Sequence, residues 1–257
     1  MTRRIRIVLE YDGTNYVGWQ VQPNGISVQQ RLNEALLSVT GETLQCHGSG
    51  RTDSGVHARA QVAHFDTAAR MNAQKFAVAM NTHLPRDIRV LYSEACGPDF
   101  HARFSAKEKT YRYALQTGEH ARVFTRNTAL HVHAPLDLAA MFAAATDCVG
   151  EHDFQAFMSA GSAMERTVRT VLSSAWTQDG PYLYYDVTGT GFLYNQVRIL
   201  AGTMLSIGLG RLPRNAVATA VASARRADAG PTAPAHGLTL MRVRYPDFDT
   251  DEVLKQL

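Results

Sequence analysis

The chain has 257 residues, 45% of them apolar, and a formal net charge of +3. This length suits one large or two small domains, and the apolar share supplies a sizeable core and excludes global disorder. No run of eighteen apolar residues occurs, which excludes a membrane-spanning helix.

The opening MTRRIRIVLEYDG passes from basic residues straight into apolar alternation, without the apolar core of a signal peptide, so a cytoplasmic protein is expected. Cys46, Cys96 and Cys148 stand singly, with no C-x-x-C pair. They indicate neither a disulfide framework nor a zinc knuckle and are expected to be small buried apolar residues. The bases are 22 Arg against four Lys, and outside the tail 247–257 they exceed the acids by 25 to 19. A planar guanidinium fork suits phosphate and stacks on rings, which points to a nucleic-acid partner. An Arg-preferring codon usage, which the many alanines also fit, explains the same bias and stays open.

In chain order, residues 4–12 alternate with Ile5, Ile7 and Leu9 on one face and predict a strand. Ser27 is placed to cap a helix in which Val28, Leu32, Ala35, Leu36 and Val39 recur at helical spacing until Gly41. Strands are expected over 43–48 and 56–66, a helix over 73–83 stopped by Pro85, and a strand over 88–93. The order is β-α-β-β-α-β. A second round follows: a strand over 109–116, a helix over 135–149, strands over 168–177 and 182–188 joined through Gln178-Asp179-Gly180, helices over 192–207 and 213–224, and a strand over 238–245. Two copies of a split β-α-β unit, an α+β fold, are expected, with 99–107 as the crossing between halves and 225–236 irregular.

The stretch GSGRTDSGVHARA, residues 48–60, holds three glycines, two arginines, one aspartate and one histidine. A lone loop carboxylate is ordinarily a turn residue. Here the glycines admit a ligand or another backbone closely, and Arg51 and Arg59 can hold Asp53 ionised. The stretch lacks the lysine of a phosphate-binding P-loop. A two-carboxylate glycosidase needs a second acid, and none lies within ten residues, Asp66 being the nearest downstream. The single Asp53-Ser54-Gly55 leaves an aspartic protease only as a symmetric dimer.

Other motifs carry less. His131 and His133 share a strand face but have no acidic partner motif, so surface histidines are expected rather than metal ligands. In KEKTYRYAL, residues 107–115, bases interleave with Tyr111 and Tyr113, which fits RNA contact and equally an ordinary half-buried strand. GTGFLYNQVRIL, residues 189–200, lacks the third glycine of a dinucleotide fingerprint. Arg198 falls inside its apolar stripe of Leu193, Val197, Leu200 and Ala201. A buried Arg needs a carboxylate, and Asp53 is a candidate for it.

Taken together these pieces resemble the tRNA pseudouridine synthase A family. GRTDSGVHA at 50–58 is similar to its most distinctive motif, and KTYRY at 109–113, FLYNQVR at 192–198 and APAHGLTL at 233–240 are similar to its other three, in the same order. YDGTNYVGWQ at 11–20 and SVQQRL at 27–32 match as well, so the resemblance spans residues 5–245. It implies two ferredoxin-like α/β domains around a continuous, mostly antiparallel sheet, with the site in a basic cleft between them. The halves would be 1–104, carrying the aspartate loop, and 105–257, completing the RNA-binding cleft. It implies isomerisation of uridine to pseudouridine at positions 38, 39 and 40 of the tRNA anticodon stem-loop, in a homodimer without cofactor or metal.

By the same resemblance Asp53 is the nucleophile and Arg198 its basic partner. Tyr111 stacks on the target base and assists proton transfer, Arg51 fills the space left by the flipped base, and Leu238 packs against that base. Tyr194-Asn195-Gln196 departs from the family's pattern, where other polar residues precede the Val-Arg pair, and the acidic tail is unexplained. A non-catalytic RNA-binding protein on the same fold is the alternative.

Overall fold

The computed structural model describes residues 2–159 and 166–257. Among the described residues ten strands and six α-helices follow one another, some of them separated by short 3-10 turns: β1 (Arg3–Tyr11), α1 (Val28–Thr40), β2 (His47–Gly48), β3 (His57–Thr67), α2 (Phe76–Asn81), β4 (Ile88–Cys96), β5 (Glu108–Thr117), β6 (Leu130–Val132), α3 (Leu138–Ala145), β7 (Gly150–Asp153), β8 (Val168–Asp179), β9 (Tyr182–Gly189), α4 (Gln196–Gly208), α5 (Ala216–Ser223), β10 (Leu238–Arg244) and α6 (Thr250–Leu254). The fold is mixed α+β, and nearly every described strand pairing is antiparallel.

The chain forms two compact units, residues 1–107 with 240–257 and residues 108–239. In the first, the strand order is β4-β1-β3-β10, with β2 against β3. The central strands β1 and β3 are sealed by Ile5, Ile7, Leu9, Val62 and Phe65, all essentially without exposure. The last segment belongs to this unit for visible reasons. Lys107 N–H donates to the Arg244 carbonyl, and the Tyr245 hydroxyl donates to Ala102 O at 2.7 Å. The Arg6 guanidinium lies over the Phe248 ring, 4.0 Å from its centroid. In the second unit the order is β5-β9-β8-β7, with β6 parallel to β5. Tyr113, Tyr185 and Leu183 face α4, a helix buried almost all round.

Local signals placed most elements. The Ser27 hydroxyl accepts from Gln30 N, and Gly41 closes α1 in the left-handed region at φ +73°, as a cap and a stop should. Four expectations need correction. The strand expected over 43–48 shrinks to two residues, because Cys46 gives its backbone groups to α1 instead: its N–H donates to Asn33 Oδ1, and its carbonyl accepts from Gln29 Nε2. The helix expected from 135 starts at Leu138, because the Asp137 carboxylate caps Ala140 N. The helix expected from 192 starts at Gln196, because Asn195 has φ +62° and cannot lie within a helix. Cys96 is half-buried rather than buried. The strands β6 and β7 and the helix α6 carry no periodic pattern long enough to predict.

Candidate active site

Asp53 sits in the loop between β2 and β3, half-buried, between the buried Thr52 and the exposed Ser54. Its loop backbone is held by three hydrogen bonds. Trp19 N–H donates to Thr52 O at 3.0 Å, Val56 N–H to Asp53 O at 3.1 Å, and Gly55 N–H to Tyr16 O at 3.3 Å. Gly55 takes φ +77° in the turn Asp53–Val56, a position that favours glycine.

Beneath the loop lies a buried polar relay. The Tyr11 hydroxyl meets Thr52 Oγ1 at 2.8 Å. Gln61 Nε2 donates to Gly50 O at 3.0 Å, and Gln61 Oε1 accepts from Ser49 Oγ at 2.6 Å. Burial pushes the Tyr11 phenol up to about 12, so it stays protonated at neutral pH. The residues that lead into Asp53 are thereby tied to β1 and β3, and a half-exposed carboxylate is presented on a fixed backbone.

The glycines of the neighbouring YDGTNYVGWQ segment explain how the two chains come so close. A Cβ on Gly13 would stand 2.0 Å from Val56 O, and one on Gly18 would stand 2.5 Å from Thr52 O. Gly48 leaves room for the Trp19 indole in the same way. The glycines of this motif therefore serve backbone-to-backbone packing around the aspartate. Arg51 and Arg59 are both exposed, Arg59 pointing out from β3 between the buried Ala58 and Ala60.

In the second unit Tyr111 lies on β5 with 8% exposure, its ring meeting the Phe192 ring edge-on at 5.4 Å. Tyr113, two residues on and on the same face, is fully buried and donates to Pro234 O at 2.8 Å. Arg112 faces the other way, bidentate to Asp186 and over the Tyr184 ring. Both tyrosines are thus more deeply buried than a half-buried strand face implies.

Arg198, on the first turn of α4, is half-buried rather than sealed in the apolar stripe. Its Nε donates to Ala233 O at 2.8 Å and its Nη1 to Asn195 Oδ1 at 2.7 Å. Leu238 opens β10 with 6% exposure. Tyr113, Arg198 and the 233–237 segment are thus knit together within this unit. Tyr11, Thr52 and Gln61 are the residues that sequence reasoning passed over. Gln61 is a lone amide in the buried run from Ala60 to Phe65, and that is the signal that could have exposed it.

The family profile described as tRNA pseudouridine synthase matches residues 7–105 and 144–246. The chain belongs to the tRNA pseudouridine synthase family. It is 46% identical to the tRNA pseudouridine synthase A of Moorella thermoacetica over 243 residues, covering 94% of this chain and 99% of that protein. It is 44% identical to the protein of the same name from Geobacter sulfurreducens, over 95% of this chain and all of the relative. Among solved structures, a chain of the archaeal box H/ACA sRNP Nop10-Cbf5 complex aligns over 95% of this chain and 50% of its own, at TM-score 0.38 and 12% identity.

Pseudouridine synthases are isomerases, and the chain is an enzyme of that class. Among the described residues no group of three or more His, Cys, Asp or Glu could hold a metal ion, and no helix is long and apolar enough to cross a membrane. His131 is half-buried and engaged with Gly118 O, while His133 is exposed. The tail that the family resemblance left unexplained has a structural place. Asp247 pairs with Arg6 at 3.4 Å, and Asp249 and Asp251 pair with Arg242.

Proposed function

We propose that this pseudouridine synthase converts uridine at positions 38, 39 and 40 of the tRNA anticodon stem-loop, with Asp53 as nucleophile. The observation that carries the reading is the anchorage of Asp53: a single half-exposed carboxylate preceded in its loop by Gly50 and Thr52, which the buried Gln61 and Tyr11 tie down. Covalent catalysis gains from a nucleophile that need not be ordered on binding.

In the reaction the bond from N1 to C1′ breaks and the base turns. A bond forms from C5 to C1′, C5 gives its proton to solvent, and N1 takes one up. The carboxylate holds one fragment during the exchange. Arg198 acts as the basic partner of that carboxylate. Tyr111 stacks on the target base and assists proton transfer, with Leu238 against the base. A stem uridine must leave the stack at a cost of a few kcal/mol, roughly, and Arg51 fills the space it vacates.

In this reading residues 1–104 carry the nucleophile and residues 105–257 complete the RNA-binding cleft. The enzyme works as a cytoplasmic homodimer without cofactor or metal. The test is tritium release from anticodon stem-loop transcripts labelled at C5 of uridine, with no added metal or nucleotide. Wild-type protein should release tritium, and Asp53→Asn should release none while still binding RNA. Equal release from both would remove Asp53 from the chemistry. No release by wild-type protein from any of the three positions would reject the proposed substrate.

A further inference from the structure

The loop between β5 and β6 carries an aromatic residue that the reaction does not use. Phe124 is 98% exposed and its neighbour Val123 is 67% exposed. Arg122 and Arg126, both exposed, stand on either side. Single exposed apolar residues are ordinary. An almost naked phenylalanine beside an exposed valine, framed by two guanidinium groups, is a different composition.

The loop is not slack. Gln116 holds it from inside β5, its Nε2 donating to His120 O at 3.0 Å and its Oε1 accepting from Arg122 N at 2.9 Å. Val123–Thr125 forms a 3-10 turn in which Thr125 N–H donates to Arg122 O, and the Thr128 and Ala129 N–H groups donate to Thr125 O in the turn that follows. Arg126 Nη1 donates to Val123 O at 2.8 Å, which steadies the backbone under the phenylalanine. Among the described residues no carboxylate forms an ion pair with Arg122 or Arg126. Glu119 is the one acid in residues 118–133, against two arginines and three histidines. The tip is therefore an ordered, cationic and aromatic projection, complementary in charge to a polyanion.

We propose that the 118–129 loop is an RNA-docking tip, with Phe124 stacking on an unpaired base of the bound tRNA and Arg122 and Arg126 tracking the adjacent phosphates. Ring stacking tolerates any base, and guanidinium contacts to phosphate carry affinity rather than sequence preference. The tip adds affinity for the tRNA without touching the reacting uridine. This inference rests on the tRNA substrate of the proposed function.

The experiment measures dissociation constants for full-length tRNA transcripts by filter binding over a salt series, with the full-length protein. Phe124→Ala should weaken binding by about ten-fold, while Phe124→Tyr, which keeps a ring, should stay near wild type. The double variant Arg122→Ala/Arg126→Ala should reduce the slope of log affinity against log salt by about 1 to 2. All these positions are exposed, so unchanged thermal melting serves as the control for folding.

Unchanged affinity and slope in every variant, with wild-type tritium release intact, would overturn the docking tip and leave the proposed function standing. Phe124→Ala turning a dimer into a monomer in sedimentation equilibrium would overturn it too, since the ring would then face a second copy of the chain. Wild-type protein that neither binds tRNA nor releases tritium would bring down both readings together.

Discussion

The Tyr11 phenol and the Thr52 hydroxyl meet at 2.8 Å in a site closed to solvent, one residue before Asp53. Tyr11 belongs to β1 and Thr52 to the loop between β2 and β3, so this contact fixes the height at which Asp53 is presented. Tyr11→Phe keeps the ring and removes the bond. It should cost about 1–2 kcal/mol of stability, since Thr52 Oγ1 loses a buried partner. Tritium release should fall while RNA binding stays level. Urea denaturation and single-turnover kinetics check the two parts, and full activity in this variant would show that the relay does not place the carboxylate.

Gly18 faces the same loop from the other side. Its φ of +106° and a would-be Cβ at 2.5 Å from Thr52 O leave no room for a side chain. Gly18→Ala combines backbone strain with a backbone clash, and should cost roughly 2–4 kcal/mol. The loop must move to relieve it, so residual activity should fall further than the folded fraction does. A variant as active per folded molecule as wild type would contradict this.

Tyr113 performs a comparable service in the second unit. Its hydroxyl holds Pro234 O, beside the Ala233 carbonyl that accepts from Arg198. Gly237 must lack a side chain because a Cβ there would stand 2.6 Å from the Tyr113 ring. Tyr113→Phe should cost about 1 kcal/mol and loosen the seat of Arg198. An equivalent loss in transition-state stabilisation corresponds to about a five-fold fall in kcat/KM. The comparison that checks it is the same substitution in an Arg198→Ala background. There the kinetic effect should vanish, and its persistence would separate Tyr113 from Arg198.

His64 makes stability depend on pH. It is 3% exposed and accepts from Ala102 N–H at Nδ1, with the His101 and His47 rings 4.7 and 5.2 Å away. Burial first, then the charges of His101, Arg4 and His47 against the opposing Asp66, push its imidazole down from 6.5 to about 4. Between those values the unfolded chain takes up a proton that the folded chain refuses. The His64 contribution is therefore complete above about pH 6.5 and is lost as pH falls toward 4, on the order of 2 kcal/mol. Urea midpoints across this range should drop in wild type and drop less in His64→Gln. Parallel pH profiles for the two proteins would rule His64 out as the source.

The sequence by itself determined the elements whose signals are local. Alternation in β1, helical spacing in α1 with its Ser27 cap and Gly41 stop, and the β8–β9 hairpin around Gly180 all depend on residues a few positions apart. It also marked Asp53, because glycines, arginines and a lone carboxylate seldom share so short a loop.

Tertiary structure decided what depends on distant partners. The strand expected before Gly48 gave way because Gln29 and Asn33 of α1 claimed the backbone of Cys46, a competition no local pattern reveals. α4 begins late because Asn195 in the left-handed conformation places its side chain between Ser159 and Arg198. The relay from Thr52 through Tyr11 to Gln61 joins Tyr11 to residues about forty to fifty positions away. Only the pairing of β1 with β3, which sets Tyr11 opposite Ala58 and Leu9 opposite Gln61, brings them into reach. Hydrogen bonds act over about 3 Å, so a contact between segments far apart in the chain leaves no periodic trace in either of them.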